Sequence, residues 1–131
     1  MIEAEPIPPE TEDTARQIVD AAYAVHVNLG PGLLESIYEV CLEHELLKRG
    51  RTVRRQVVLP VVYDGLTLDA GLRIDLLVDD RVIVELKCVG RLLPVHYAQV
   101  LSYLKLTQCR LGFLINFHTD LIKKGIKRLA L

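Results

Sequence analysis

Residues 74–87 read IDLLVDDRVIVELK, an aliphatic run in which an acid and a base stand where a core strand should be apolar. The aliphatic residues are typical of a strand buried on both faces. Glu85 and Lys87 interrupt that pattern and, because strand side chains alternate between faces, they project from the same side of the sheet. Asp75 joins them if the two halves of the run pair as hairpin neighbours.

This arrangement predicts a cation site. Two carboxylates held close together repel each other, or one keeps its proton, unless a cation lies between them. Oxygen ligands beside an ammonium group therefore favour Mg²⁺ or Mn²⁺ and outline a hydrolytic site. The alternative is that Glu85 and Lys87 are charged residues that protect an exposed strand edge, and the tripeptide alone does not exclude it.

Length and composition favour one globular domain. The chain has 131 residues, of which 50% are hydrophobic, and its formal net charge is −1. We expect a flexible lead over residues 1–10 and a single domain over 11–131. No stretch is long enough to span a bilayer, and the N-terminus is acidic and proline-rich, unlike a signal peptide. These features predict a soluble, cytoplasmic protein without a membrane partner.

The three cysteines, Cys41, Cys88 and Cys109, are widely spaced and lie in apolar surroundings. Their odd number and spacing argue against a disulfide framework or a zinc site, so we expect packed, reduced thiols. Cys88 adjoins the candidate site and is the one candidate for a redox-sensitive thiol.

Hydrophobic periodicity predicts an α/β fold in which helices flank a mixed central sheet. Apolar residues recur at helical spacing in three segments and at strand spacing in several others. The expected helices cover about 11–30, 33–49 and 94–107; the expected strands cover about 53–63, 66–70, 71–78, 82–89, 111–117 and 125–131. A helix crossing between two core strands implies an α/β sandwich.

Two helices carry further polar candidates. Glu35 and Tyr38 are three residues apart on the second helix and share a face, although a Glu at a helix start is also favoured by the helix dipole alone. Gln99 and Tyr103 share a face of the crossing helix and could hydrogen-bond a phosphate or a carboxylate, or simply pack on the sheet. His26 on the first helix is ordinarily read as a structural histidine rather than a metal ligand.

Taken together, these segments resemble the GxxExxY proteins, a branch of the PD-(D/E)xK nuclease-like superfamily. Gly32, Glu35 and Tyr38 match the residues that name the family. The likeness spans nearly all of residues 15–130 and has five ordered parts: VHVNLGPGLLESIYE, RIDLLVDDRVIVELK, LLPVHYAQVLSYL, LGFLINF and GIKRL.

The resemblance implies a restriction-endonuclease-like core in which acid and acid-x-lysine residues bind a divalent metal and activate water. Asp75 matches the first acid, and Glu85 and Lys87 match the second motif. Ile74 stands where the superfamily name has proline. The backbone carbonyl of Leu86 is expected to be a metal ligand with Asp75 and Glu85.

Other residues match secondary features of the resemblance. Glu35 corresponds to a helix carboxylate that completes the metal site. Gln99 and Tyr103 match a Gln-x-x-x-Tyr element of RecB-type nuclease domains, and His26 matches a histidine that some RecB-like members use as a metal ligand. The four cysteines that hold an iron–sulfur cluster in some relatives have no counterpart set here, so we expect no iron–sulfur cluster.

The leading hypothesis is a Mg²⁺- or Mn²⁺-dependent nuclease that acts on nucleic acid, with DNA favoured. A non-catalytic nucleic-acid- or protein-binding module that keeps the fold, and an oligomeric adaptor, are the alternatives, and homodimerisation is a hypothesis. Two basic clusters are candidates for contact with a nucleic-acid backbone, although solvated surface is their commoner explanation. They comprise Lys48, Arg49, Arg51, Arg54 and Arg55, and Arg91 with Lys123, Lys124, Lys127 and Arg128.

Overall fold

The computed structural model describes residues 5–69 and 71–131, and within them the chain forms four helices and seven strands. The helices are α1 (Pro9–Leu29), α2 (Glu35–Lys48), α3 (Pro94–Thr107) and α4 (Ile122–Gly125). The strands are β1 (Val53–Val58), β2 (Val61–Tyr63), β3 (Leu66–Leu68), β4 (Arg73–Val78), β5 (Val82–Lys87), β6 (Leu111–Asn116) and β7 (Ile126–Ala130).

Five strands form a mixed sheet in the order β1-β4-β5-β6-β7. The pairs β1–β4, β4–β5 and β6–β7 are antiparallel, whereas β5 and β6 are parallel because α3 carries the chain back across the sheet. The remaining two strands, β2 and β3, form a separate antiparallel ribbon. The predicted α/β fold with a mixed central sheet is confirmed.

Both faces of the sheet are covered by helices. On one face, α1 and α2 pack buried side chains such as Ile18 and Leu42 against Leu76 and Val84. On the other face, α3 packs on a second cluster that includes Ile83. Each fully buried aliphatic side chain of this kind contributes about 1.5–3 kcal/mol relative to an exposed one, so two-sided burial accounts for the uninterrupted aliphatic runs.

The crossing helix lies close to the sheet because β6 carries a glycine. A Cβ atom at Gly112 would lie 3.1 Å from Cγ1 of Val100 and 3.3 Å from Cδ2 of Leu104, both on α3. These distances are tighter than ordinary van der Waals contact. Gly112 therefore allows the close approach of α3, which also carries Gln99 and Tyr103.

Several element boundaries differ from those predicted. The strand expected over 53–63 is interrupted: the N–H of Leu59 still donates to the carbonyl of Leu72 (2.9 Å), but Pro60 has no N–H to continue the pairing. Helix α1 begins at Pro9, two residues before Thr11, because the N–H groups of a first turn need no intrahelical partner. The short helix α4 was not predicted.

Some expectations fall on positions outside the described residues. These positions are residues 1–4 of the expected flexible lead and Ala70 at the end of an expected strand. In the described part of the chain, no helix combines the length and the apolar character needed to cross a bilayer.

Candidate functional site

The candidate site, here called the acidic site, is built around Asp75 on β4 and Glu85 on β5. It begins where the backbone pairing of these two strands ends. The described backbone pairs run from Val78 and Val82 at the turn as far as Leu76 and Val84. At the next position the side chains replace the ladder. The N–H of Asp75 donates to Oε1 of Glu85 (3.0 Å), and the N–H of Leu86 donates to Oδ2 of Asp75 (2.8 Å). The structure therefore brings Asp75 and Glu85 together, each anchored to the other strand's backbone.

Lys87 lies on the same strand as Glu85, two residues further along, and is half-buried. Its positive charge acts on the pKa values of three carboxyl groups, those of Glu35, Asp75 and Glu85, and lowers each of them. Its backbone carbonyl accepts a hydrogen bond from the N–H of Phe117 on the neighbouring segment (3.0 Å), which fixes the end of β5. The Lys87 charge therefore acts on all three carboxyl groups, and its role in the site stays a prediction.

Burial raises the pKa values of all three carboxyl groups by more than the positive charge of Lys87 lowers them. For Glu85, burial and then the charge of Asp75 raise the pKa to about 9. For Asp75, burial raises the pKa although the hydrogen bond from Leu86 opposes it. For Glu35, partial burial and then the charge of Asp75 raise the pKa. With all three groups ionised, the site would carry more negative charge than Lys87 can balance. Either a bound cation or a retained proton relieves this excess.

Two further residues of the acidic site, Glu39 and Gln56, were not predicted. Glu39 is buried on α2, one turn after Glu35, and accepts hydrogen bonds from Nε2 of Gln56 (2.6 Å) and Nη2 of Arg55 (3.1 Å). Nε2 of Gln56 also lies 3.4 Å from Oδ1 of Asp75. The i, i+4 spacing of Glu35 and Glu39 was a usable signal for the first residue.

Gln56 has an unusual backbone conformation. It lies within β1 opposite Asp75, and its φ of 52° is left-handed, a region that costs an L-residue about 1–2 kcal/mol. The described pairs of β1 with β4 omit this position, so the strand is locally distorted where its side chain reaches the acids. No pattern in the sequence signals a left-handed glutamine within a strand.

Tyr38 supports the start of α2 and does not face the acids. Its ring is fully buried and stacks on Phe117 with centroids 4.6 Å apart. Its hydroxyl donates to the carbonyl of Gly30 (2.6 Å) and accepts from the N–H of Leu33 (3.1 Å). Gly32 in the same turn has φ of 104°, which favours glycine. These contacts fix the turn at the start of α2, the helix whose first residue is Glu35.

The crossing helix brings Gln99 and Tyr103 to the acidic site. Nε2 of Gln99 donates to the hydroxyl of Tyr103 (3.2 Å). The pKa of Tyr103 is raised by burial and then by the charge of Glu85, so the phenol lies within the field of the acids. Gln99 also lines a cleft of about 450 Å³ together with Lys87. These two residues form the α3 side of the site.

His26 has a structural contact in the described chain. Its buried ring places Nε2 2.9 Å from the carbonyl oxygen of Thr119, where that nitrogen acts as a hydrogen-bond donor. None of its described hydrogen bonds involves Asp75 or Glu85. A metal-ligand role for His26 stays a prediction.

The cysteines are unpaired and half-buried. The pKa of Cys88 is raised by burial and then by the charge of Glu35, so its reactive thiolate form is disfavoured. A redox-sensitive role for Cys88 stays a prediction that this shift does not favour.

The donor set of the acidic site fits a hard divalent cation in its chemistry. Neither carboxylate oxygen of Glu35 accepts a hydrogen bond from the residues described, and Oδ1 of Asp75 has a long contact from Gln56. The Asp75 and Glu85 carboxyl groups also share a side-chain hydrogen bond, which requires that one of them keep its proton while no cation is bound. Carboxylate oxygens are the ligands that Mg²⁺ and Mn²⁺ prefer. Within residues 5–69 and 71–131, however, no three His, Cys, Asp or Glu side chains are grouped closely enough to form a metal site as they stand.

Comparison with known proteins supports the same interpretation. No curated protein and no solved structure matched the chain significantly. The model of the PD-(D/E)XK nuclease superfamily matches residues 12–129. The match supports the restriction-endonuclease-like core, while the narrower GxxExxY likeness stays a prediction. The family-model match spans nearly the whole chain and includes both strands of the acidic site. The chain therefore belongs to the PD-(D/E)XK nuclease superfamily.

Proposed function

We propose that this protein hydrolyses phosphodiester bonds of nucleic acid in a reaction that depends on Mg²⁺ or Mn²⁺. DNA is the favoured substrate. The observation that carries the proposal is the pair of hydrogen bonds by which Asp75 and Glu85 each bind the other strand's backbone, with Lys87 on the same strand as Glu85. Superfamily membership supports it, because nucleases of this superfamily generally use divalent metal ions.

In this proposal Asp75, Glu85 and the backbone carbonyl of Leu86 hold the cation, and Glu35 completes the set. A bound divalent cation supplies positive charge to the phosphoryl oxygens and lowers the pKa of bound water. We leave His26 out of this set because its Nε2 already donates to Thr119.

The chain's own residues position the reactants. Lys87, held at the end of β5, donates hydrogen bonds to the attacking water or to the phosphate as negative charge develops. Gln99 and Tyr103 present an amide and a phenol from α3, both of which can hydrogen-bond a phosphate oxygen. The buried walls around Glu85 exclude bulk water, which strengthens each of these polar interactions.

The test is cleavage of labelled single-stranded DNA, double-stranded DNA and RNA with Mg²⁺, with Mn²⁺ and with a chelator. Lys87→Ala should abolish cleavage, whereas Lys105→Ala, which removes an exposed lysine from the last turn of α3, should cut like the wild type. Cleavage that survives in Lys87→Ala, or a wild type that binds the metal but cuts none of these substrates, would refute the proposal.

The same experiment addresses the alternative of a non-catalytic binding module. Such a module would bind nucleic acid without cutting it and would not require the lysine. The hydrogen bonds that join Asp75 and Glu85 across the two strands, and the charge of Lys87 acting on both carboxyl groups, support hydrolysis over binding alone.

A further inference from the structure

A second polar cleft lies beside the acidic site. It has a volume of about 320 Å³ and opens between the segment after β5, the start of α3 and the segment around α4. We call it the basic cleft. Its charged and polar lining includes Arg91, Tyr97, Asn116, His118, Lys124 and Lys127.

The cations of the basic cleft have few acidic partners. In the described part of the chain, Lys124 has one ion pair, with Asp120 at 3.5 Å, and both side chains are largely exposed. Such exposed pairs are worth about 0–1 kcal/mol and break readily. The described ion pairs include none for Arg91 or Lys127. The cleft therefore presents three cations and a histidine with almost no neutralising acid.

Every member of the other basic cluster has an acidic partner in the described chain, although the Arg54–Asp80 pair is about as exposed as Lys124–Asp120. Arg54 pairs with Asp80 (2.8 Å) and Arg55 with Glu39 (3.1 Å). The remaining pairs of that cluster join Lys48 and Arg49 to Glu45, Arg51 to Asp13 and Asp79, and Arg55 to Glu43. Arg128 likewise pairs with Glu12. Arg91 and Lys127 of the basic cleft thus differ from these paired residues, whereas Lys123, which also has no described ion pair, lines a different cavity.

The basic cleft is rigidly placed one strand away from the acidic site. Asn116, in its lining, is the register partner of Lys87 in the parallel pair of β5 and β6, and neighbouring strands lie about 4.8 Å apart. The Asn116 amide accepts from the N–H of Val89 (3.1 Å) and donates to its carbonyl (2.8 Å). These bonds fix the segment that leads to Arg91.

The opposite wall is fixed by a glycine. A Cβ atom at Gly125 would lie only 2.1 Å from the carbonyl oxygen of Asn116, a distance that no side chain tolerates. The glycine lets the segment with Lys124 and Lys127 approach Asn116 closely. The cations are therefore held on a preformed surface.

We propose that the basic cleft binds the sugar–phosphate backbone of the nucleic acid next to the phosphate that is cut. The inference rests on the proposed function. Backbone phosphates are recognised mainly by Arg and Lys, and the half-buried ring of Tyr97 offers a surface on which a sugar or base can pack. A nucleic-acid strand that lies across the C-terminal ends of β5 and β6 would pass from the acidic site directly into the basic cleft.

Binding without cleavage tests this inference. Anisotropy of labelled single- and double-stranded DNA and of RNA is measured in chelator, over a range of salt concentrations. Arg91→Glu and Lys127→Glu should each weaken binding about tenfold or more. Each should also reduce the slope of log K against log salt by about 0.7 for single strands. Arg54→Glu is the matched control, since it reverses the same charge on β1, at the other edge of the sheet.

The outcomes separate the two proposals. The proposed role of the basic cleft is wrong if Arg91→Glu and Lys127→Glu bind nucleic acid like the wild type. It is also wrong if Arg54→Glu weakens binding as much as they do, and both conclusions hold even when the wild type cleaves its substrate. If they weaken binding while the wild type cuts no substrate, the proposed hydrolysis fails and the cleft stands as a binding surface. Arg91 is exposed, so its variant is expected to fold, which circular dichroism checks.

Discussion

The β4–β5 pair joins two regions built on different principles. Near the turn, Leu76, Val78, Val82 and Val84 pair through their backbones and bury aliphatic side chains. One residue further from the turn, carboxylates take over the backbone N–H groups and bury charge instead. The first region supplies stability and the second costs it, since buried carboxyl groups are expensive. Mutations should therefore separate stability from chemistry along a single hairpin.

The largest effect is expected at the acidic end. Asp75→Asn keeps the shape of the side chain but removes its charge. The proposed nuclease activity should therefore fall by about 100-fold or more, because even residues that only support metal ligands contribute about 10–100-fold. The melting temperature should not fall, because the Asp75 charge that raises the pKa values of Glu35 and Glu85 is gone. Cleavage rates and thermal unfolding measure the two effects. Loss of both together would contradict the separation.

At the turn end, the effect should be on stability. Leu76 is fully buried, so Leu76→Ala should lower the free energy of unfolding by about 3 kcal/mol through lost burial and the cavity left behind. Leu66→Ala is the matched control, because Leu66 is 57% exposed on β3, and its effect should stay within about 0.5 kcal/mol. Urea unfolding measures both. Equal effects would show that Leu76 is not part of a packed core.

The pH dependence of stability should expose the cost of Glu85. Its pKa is about 9 in the folded protein, whereas an unperturbed glutamate, as in the unfolded chain, has a pKa of 4.5. Between these values the folded protein keeps a proton that the unfolded chain has released, so stability falls as pH rises, by about 1.4 kcal/mol per unit at most. Glu85→Gln should remove the part of this slope that comes from Glu85, so that between pH 4.5 and pH 6 the variant gains about 2 kcal/mol relative to the wild type. The raised pKa values of Asp75 and Glu35 leave a shallower slope of the same sign. Parallel wild-type and Glu85→Gln profiles would refute it.

The smallest effect is expected at Gln56, which links β1 to the acids. Gln56→Ala loses the amide and keeps the left-handed strain, whereas Gln56→Gly loses the same amide and relieves the strain. The glycine variant should therefore be more stable than the alanine variant by about 1 kcal/mol in urea unfolding. An alanine variant at least as stable as the glycine one would argue against the left-handed conformation.

Local patterns carried most of the fold prediction. Alternation and aliphatic runs identified the strands of the sheet, and the combination of Glu85 and Lys87 within one of them indicated the site. The break at Pro60 was missed because hydrophobic spacing outweighed the missing N–H donor in our interpretation, although proline was visible in the sequence. The break divides one expected strand into β1 and β2, which belong to different sheets, and the short helix α4 was also missed.

Long-range contacts explain what the sequence could not supply. Gln56 reaches Glu39 only because β1 and α2 pack together, and the left-handed conformation has no local signal. The same holds for the basic clusters: their residues are plain in the sequence, but their acidic partners lie up to 116 residues away, as for Glu12 and Arg128. Charge in the sequence therefore could not distinguish a paired surface from a free one.

The distorted position in β1 also bears on how copies of this protein meet. An outermost strand with regular unpaired N–H and C=O groups invites edge-to-edge polymerisation. Here β1 is the outermost strand on its side of the sheet, and Gln56 breaks its regularity while Arg54 and Arg55 place charge beside the break. The irregularity that serves the acids thus also discourages amyloid-like stacking, so an assembly of two copies is expected to use a different surface.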